Sequence, residues 1–373
     1  RTPSYSYRIL LSSVCRRWRV IILNMPGLWA NIITDLTEDY PPAPLFHLII
    51  ERSAPALVHI DLWGAGDLHH SYPYVNPQTN PGISYATLAD SLSSIPPHIH
   101  RCRLFKVFIT DQDSAQAFVR IPFSSAGQLE EMELATQCGQ DIDNEIFSSF
   151  RDLTTLHRFR LLGFGDGWTI HSAMASPLWS HLSHLDLSYL IPTEEVIWLL
   201  QTCTSAVTMR LRARMQASYG GPVICIPNLR ALSLSACGRN ILRSLRKIEA
   251  PKLEVFHLET RREASIYETP SEIPSDDQFV WPSVLNKTLS LRLLLLNDPS
   301  SPYSDAIKLL SHDYVKAVPV VKLGIRPAEM LRAKENPHLL LAESNEVGWI
   351  DTSVAMLYRK EHMSLLSDIG VHV

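Results

Sequence analysis

The chain is expected to fold as an α/β solenoid, with strand-and-return units stacked into a curved parallel sheet behind a short helical N-terminus. Three observations lead there. An apolar-x-x-apolar-x-apolar motif recurs along the chain, at nearly even intervals from Leu129 to Leu253. The segments between motifs read as helices or turns. The chain also has 373 residues, 46 % of them hydrophobic, more than one compact domain usually needs unless it is a repeat array.

The opening element is an amphipathic helix. At 100° per residue, Leu11, Val14, Cys15, Trp18, Ile21 and Ile22 share one face and Arg16, Arg17 and Arg19 fall elsewhere. This spacing predicts one helix of about four turns, with Cys15 on its buried face as an inert packing thiol. Asn24-Met25-Pro26-Gly27 stops it, because proline cannot donate to the helix ladder. Leu28 to Ile33 then reads as a short extended segment.

These residues resemble a known family. VCRRWRVIILNMPGLWANI, Val14 to Ile32, looks like the C-terminal half of the F-box of many fungal (basidiomycete-type) proteins, where a Val-Cys-Arg-x-Trp helix precedes a Pro-x-Leu-Trp turn. PLFHLIIERSAPALVHIDL, Pro44 to Leu62, is similar to the next part of such proteins, a helix ending in Arg-Ser and then an alternating strand. The family's Leu-Pro-x-Glu-type first helix would lie before Arg1, so the box reads as N-terminally truncated.

The repeats come next. The motif starts at Leu57, Ile99, Leu129, Leu156, Leu182, Ala206, Leu229, Leu253, Leu291 and Val318. From Leu129 to Leu253 the steps are 27, 26, 24, 23 and 24 residues, within the roughly 20–29 of leucine-rich repeats. Strict Leu-x-x-Leu-x-Leu occurs at Leu182, Leu229 and Leu291, and LRALSLSAC continues to the consensus cysteine position. In LSHLDL, Leu185 and Leu187 are expected to point inward and Asp186 outward. Thr193 to Leu200 reads as a return helix, with Thr193 as N-cap and Glu194 and Glu195 in the first turn. One such unit cannot bury its apolar face alone, and stacked neighbours can. Long gaps at Gly64–Pro97 and Glu259–Trp281 read as loops on one face, and Thr352–Leu366 as a terminal cap. The domain reading is a partial F-box over 1–35, a leucine-rich-repeat-like solenoid over 36–340 and a capping segment over 341–373.

Several function classes lose support. Net charge is −4, without the basic excess of a nucleic-acid binder. Cysteines 15, 102, 138, 203, 225 and 237 have neither disulfide-framework nor zinc spacing, which favours a reducing compartment, cytoplasmic or nuclear. No apolar run approaches the ~18–20 residues of a membrane span. His69-His70 and the pair His181 and His184 are poorly spaced for a metal. In GFGDGW, Gly163 to Trp168, the third glycine is misplaced for a dinucleotide fingerprint and the next strand comes too soon. There is no Gly-x-Ser-x-Gly elbow.

An interaction protein is therefore expected rather than an enzyme, with no cofactor and no metal. The resemblance implies a substrate-recognition subunit of an SCF-type ubiquitin ligase, whose partners are a Skp-type adaptor, a cullin ligase and an unknown target protein. It implies that Leu11, Val14, Cys15 and Trp18 contact the adaptor or pack the box, and that Pro26, Leu28 and Trp29 join the box to the repeats. Target contacts are expected from the concave strand face, at Asp186, Arg210, Ser233 and His257. Two other readings are a repeat scaffold without ligase coupling and, from a different class, an enzyme with a loop-built site.

Overall fold

The structure, a computed structural model, describes residues 5–33, 43–62, 85–109, 111–136, 138, 140–162, 176–214, 220–237, 247–261, 290–297, 313–325, 340–343 and 348–351. The chain is α/β and divides into two compact units, Arg1–His181 and Leu182–Val373.

The first unit opens with three short helices, α1 (Tyr5–Ser13), α2 (Arg16–Leu23) and α3 (Pro26–Trp29). The single four-turn helix expected from the periodicity is broken at Val14-Cys15. Ser12 and Ser13 turn their hydroxyls back to the carbonyls of Ile9 and Leu10, both at 2.7 Å, and so compete with the continuing ladder. Cys15 is then extended (φ −159°, ψ 169°) and caps α2, its Sγ accepting from the Trp18 amide at 3.5 Å. Leu28 and Trp29, expected to be extended, belong to the α3 turn, which proline opens at its first position.

Five strands come after them, β1 (Asn31–Ile33), β2 (Val58–Leu62), β3 (Cys102–Ile109), β4 (Glu131–Thr136) and β5 (Arg158–Leu162). Each pairs in parallel with the next in sequence. Connections carry α4 (Ala43–Arg52), α5 (Tyr85–Ser93), α6 (Gln112–Val119), α7 (Gln140–Phe150) and α8 (Leu178–His181). Asp111 starts α6 by accepting from the Ser114 amide at 2.8 Å. Helices α4 to α7 pack one on the next. Under the sheet, Phe105, Phe118, Phe123, Phe147, Phe150, Phe159 and Trp179 form one ring cluster, all buried. Phe147 stacks on Trp179 with ring centres 5.7 Å apart and meets Phe150 at 4.9 Å.

The second unit has the same grammar. Strands β6 (His184–Pro192), β7 (Thr208–Arg214), β9 (Ala231–Cys237), β11 (Val255–Arg261), β12 (Leu293–Asn297) and β13 (Val320–Ile325) pair in parallel in that order. An antiparallel pair, β14 (Leu340–Glu343) and β15 (Gly348–Asp351), continues the sheet with β15 beside β13. The return from β6 is helix α9 (Thr193–Thr202). Its cap position falls on Pro192, so Thr193 is the first helical residue; Glu194 and Glu195 lie in the first turn, and Glu195 is buried. After β7 and after β9 the return holds a two-residue strand, β8 (Ile224–Cys225) and β10 (Ile248–Glu249), and the two pair with each other in parallel. A short helix α10 (Asp313–Lys316) precedes β13.

The motif positions map onto this framework with one offset. From Leu129 to Val318, each of eight motifs begins two residues before a strand. Seven of those first residues, Leu129 to Leu291, are no more than 7 % exposed, and Val318 is 8 % exposed. The backbone entry also repeats. Amides 157 and 158 both donate to the carbonyl of Glu130, 207 and 208 to Ser183, 230 and 231 to Val207, 254 and 255 to Arg230, and 292 and 293 to Glu254. Each unit thus hangs on the carbonyl just before the preceding strand. The gap read as a loop over 64–97 contains α5, whose Leu88 and Leu92 are buried. The expected loops at 69–74, 163–168 and 262–281 and the cap at 352–366 lie outside the described residues.

Candidate functional site

The N-terminal helices expose an apolar surface. Ile9, Leu10, Val14, Trp18, Val20, Ile21, Met25 and Leu28 are eight of the eleven exposed large hydrophobic side chains among the described residues. The helix face read as buried is therefore largely open. Val14 is 65 % and Trp18 49 % exposed, Cys15 is exposed too, and Leu11 is half-buried. Cys15 is accordingly not a core thiol. The reason is the break at Val14-Cys15, which ends the continuous stripe that 100° spacing assumes.

The other end of this segment is anchored. Trp29 is 4 % exposed and its Nε1–H donates to the Ile22 carbonyl at 2.8 Å, tying α3 to α2. The Arg8 guanidinium donates to the carbonyl of Asn31, tying α1 to β1. Ile22 and Ile32 are buried beside them. Of the expected junction residues, Trp29 is core, Pro26 is half-buried and Leu28 remains exposed.

The four residues expected on the strand face fall into one row across the second unit's sheet. Parallel register places Asp186 opposite Arg210, Arg210 opposite Ser233, and Ser233 opposite His257. The row is paired within itself. Arg210 lies 3.6 Å from the Asp186 carboxylate, and Ser233 Oγ is 2.9 Å from His257 Nδ1. Burial draws the His257 pKa down to about 4; Glu259 opposes this and Arg210 adds to it. The imidazole is therefore neutral at pH 7. Asp186 and Ser233 are 7 % and 3 % exposed, so they offer a partner little surface, contrary to the expected outward display. Thr208, Ala231, Val255 and Leu293, in the preceding register position on the same face, are also buried. Arg210, with its side chain 36 % exposed, is the accessible member, and His257 is half-buried.

Sequence reasoning missed Arg212, two residues beyond Arg210 on the same strand face. The visible signal was the alternation Thr208-Met-Arg-Leu-Arg-Ala-Arg214. Its Nε is buried, and the side chain makes no hydrogen bond or ion pair among the described residues.

In the first unit the strand-face charges cancel. Glu133 accepts from Lys106 and from Arg160, both at 3.1 Å, and Arg103 meets Glu130 at 2.9 Å. Among the described residues no three His, Cys, Asp or Glu side chains converge as a metal would need. No helix there is long and apolar enough to cross a membrane. Of the histidines weighed as ligands, His181 is exposed and His184 Nδ1 lies 2.7 Å from Ser183 Oγ. Burial pushes the Cys102 and Cys203 thiols up to about 12, away from nucleophilic use. No family model matches the chain, and no curated protein matches it.

Proposed function

We propose that this chain is an interaction protein, the substrate-recognition subunit of an SCF-type ubiquitin ligase, acting in the cytoplasm or nucleus. The N-terminal helices would seat a Skp-type adaptor, which carries the cullin ligase, and the strand units would stack as a curved leucine-rich-repeat-like solenoid holding a target protein. The chain itself does no chemistry. It raises the effective concentration of target near the ubiquitin-charged enzyme.

One observation carries this reading. Eight exposed large hydrophobic side chains crowd into the twenty residues from Ile9 to Leu28, on helices whose other side is anchored by Trp29 and Arg8. A concentrated apolar patch on a water-exposed surface favours a protein partner. The resemblance of Val14 to Ile32 to an F-box names which one.

Capture of a Skp-type adaptor tests it. The chain is co-expressed with the adaptor, together with whatever coding sequence lies upstream of Arg1. Val14→Asp and Trp18→Ala should each remove the adaptor from the purified complex while circular dichroism stays unchanged. Absence of the adaptor from the unsubstituted protein would defeat the ligase reading.

A further inference from the structure

We infer that the half-buried row of β7 and β9 centred on Arg212 and Ser235 is a binding site for an acidic side chain, carboxylate or phosphate, presented by an extended peptide segment. The argument begins with what happens to strand-face cations elsewhere. Arg103, Lys106, Arg158, Arg160 and Arg210 each meet a carboxylate within 4 Å. Arg212 is the exception among the strand arginines and lysines whose side chains are described.

The Arg212 Nε–H is shielded from water and meets no acceptor, so that donor has lost hydration without a hydrogen bond in return. An incoming oxyanion supplies what is missing, because the planar fork matches carboxylate and phosphate oxygens in a bidentate way. The neighbours fit such a group. Register puts the Ser235 hydroxyl on one side of Arg212 and Leu190 on the other, a second donor and an apolar shoulder. Arg210, with its side chain 36 % exposed, stands two residues away on the same face and adds positive potential. Glu259, in the same register row beyond Ser235, limits the site to one acidic group at a time.

A peptide suits the site better than a nucleic acid. One unpaired guanidinium neutralises one acid, whereas a nucleic-acid backbone needs a run of cations. The inference stands without the ligase reading, and for that reading it gives the chemistry of the target.

The test is a set of degenerate nonapeptides with a fixed central Glu, phosphoserine, Gln or Lys, measured by fluorescence anisotropy against the whole chain. The Glu and phosphoserine sets should bind at least tenfold more tightly than the Gln and Lys sets, and weaken as salt rises. Arg212→Ala should remove that preference tenfold or more, and Arg212→Lys should lose most of it while keeping the charge. Arg120→Ala, on an exposed helix end of the first unit, should change nothing. Comparing the Glu and phosphoserine arms tells which acid is preferred. Equal binding of acidic and neutral sets, no binding at all, an unaltered preference in both Arg212 variants, or stronger binding of a single-stranded oligonucleotide would each overturn the inference. Adaptor capture by Arg212→Ala should stay intact, so loss of the ligase reading and loss of this site are distinguishable.

Discussion

Two tryptophans eleven residues apart should respond oppositely to truncation. Trp29 is 4 % exposed and donates to the Ile22 carbonyl, whereas Trp18 is 49 % exposed on the open side of α2. A tryptophan side chain carries about 200 Å² of surface, worth roughly 25 cal/mol per Å² when buried. Full burial of Trp29 therefore contributes up to about 5 kcal/mol, with about 1 kcal/mol more from its hydrogen bond. Trp18 hides half its surface and contributes at most about 2.5 kcal/mol, less once the compactness of the unfolded chain is counted. Guanidinium unfolding of Trp29→Ala should show a loss of about 3–5 kcal/mol in the affected transition. Trp18→Ala should lose less than half of that and should instead abolish adaptor capture. If Trp18→Ala costs as much stability as Trp29→Ala, the α2 face is core, and the surface argument fails.

Three further outcomes rest on burial and pairing. His257 has a folded pKa of about 4 against the ordinary 6.5, so it favours folding while neutral. Its contribution is complete above pH ~6.5 and fades as pH falls toward ~4, by about 3 kcal/mol at about 1.4 kcal/mol per pKa unit. His257→Gln should flatten the stability profile between pH 7.5 and 4 by about that amount, and parallel profiles would refute it. Native-state alkylation with peptide mass mapping should label exposed Cys15 and Cys225 first and leave Cys102 and Cys203 for unfolding. Early labelling of Cys102 would contradict its burial. Phe147→Ala, which removes a ring from the contacts with Trp179 and Phe150, should cost about 3–5 kcal/mol by thermal or chemical unfolding, and Phe147→Leu about 1 kcal/mol.

The strands were readable because a parallel unit writes its position in three apolar sites. In LSHLDL the first leucine closes the turn, and Leu185 and Leu187 face the core, so the motif at Leu182 announces a strand at His184. That logic survived a change of return segment, from helix α9 to the two-residue strands β8 and β10, because register depends on the strand face and not on the return. What stayed hidden is whether a face is covered. Periodicity assigns Leu11, Val14, Cys15 and Trp18 to one side of a helix, but it is silent on whether anything packs there. It also misses a break that carries no proline or glycine. Ser12-Ser13 was the available mark, through hydroxyls that bond back to the preceding turn. The strand row shows the same limit from the other direction. Alternation read Asp186, Arg210, Ser233 and His257 as outward strand residues; parallel register lines them up in one row, but the pattern could not show that two of them are buried in pairs. Nor could it show that the cation left over is Arg212. Pairing is decided between strands about 24 residues apart in sequence, as Arg230 with Glu254 illustrates at 2.8 Å, and a single strand's pattern holds no record of its neighbour's charges. A strand cation left unpaired where the other described strand cations meet carboxylates is therefore visible only after folding, and it marks the place where a partner can supply what the strand neighbours do not.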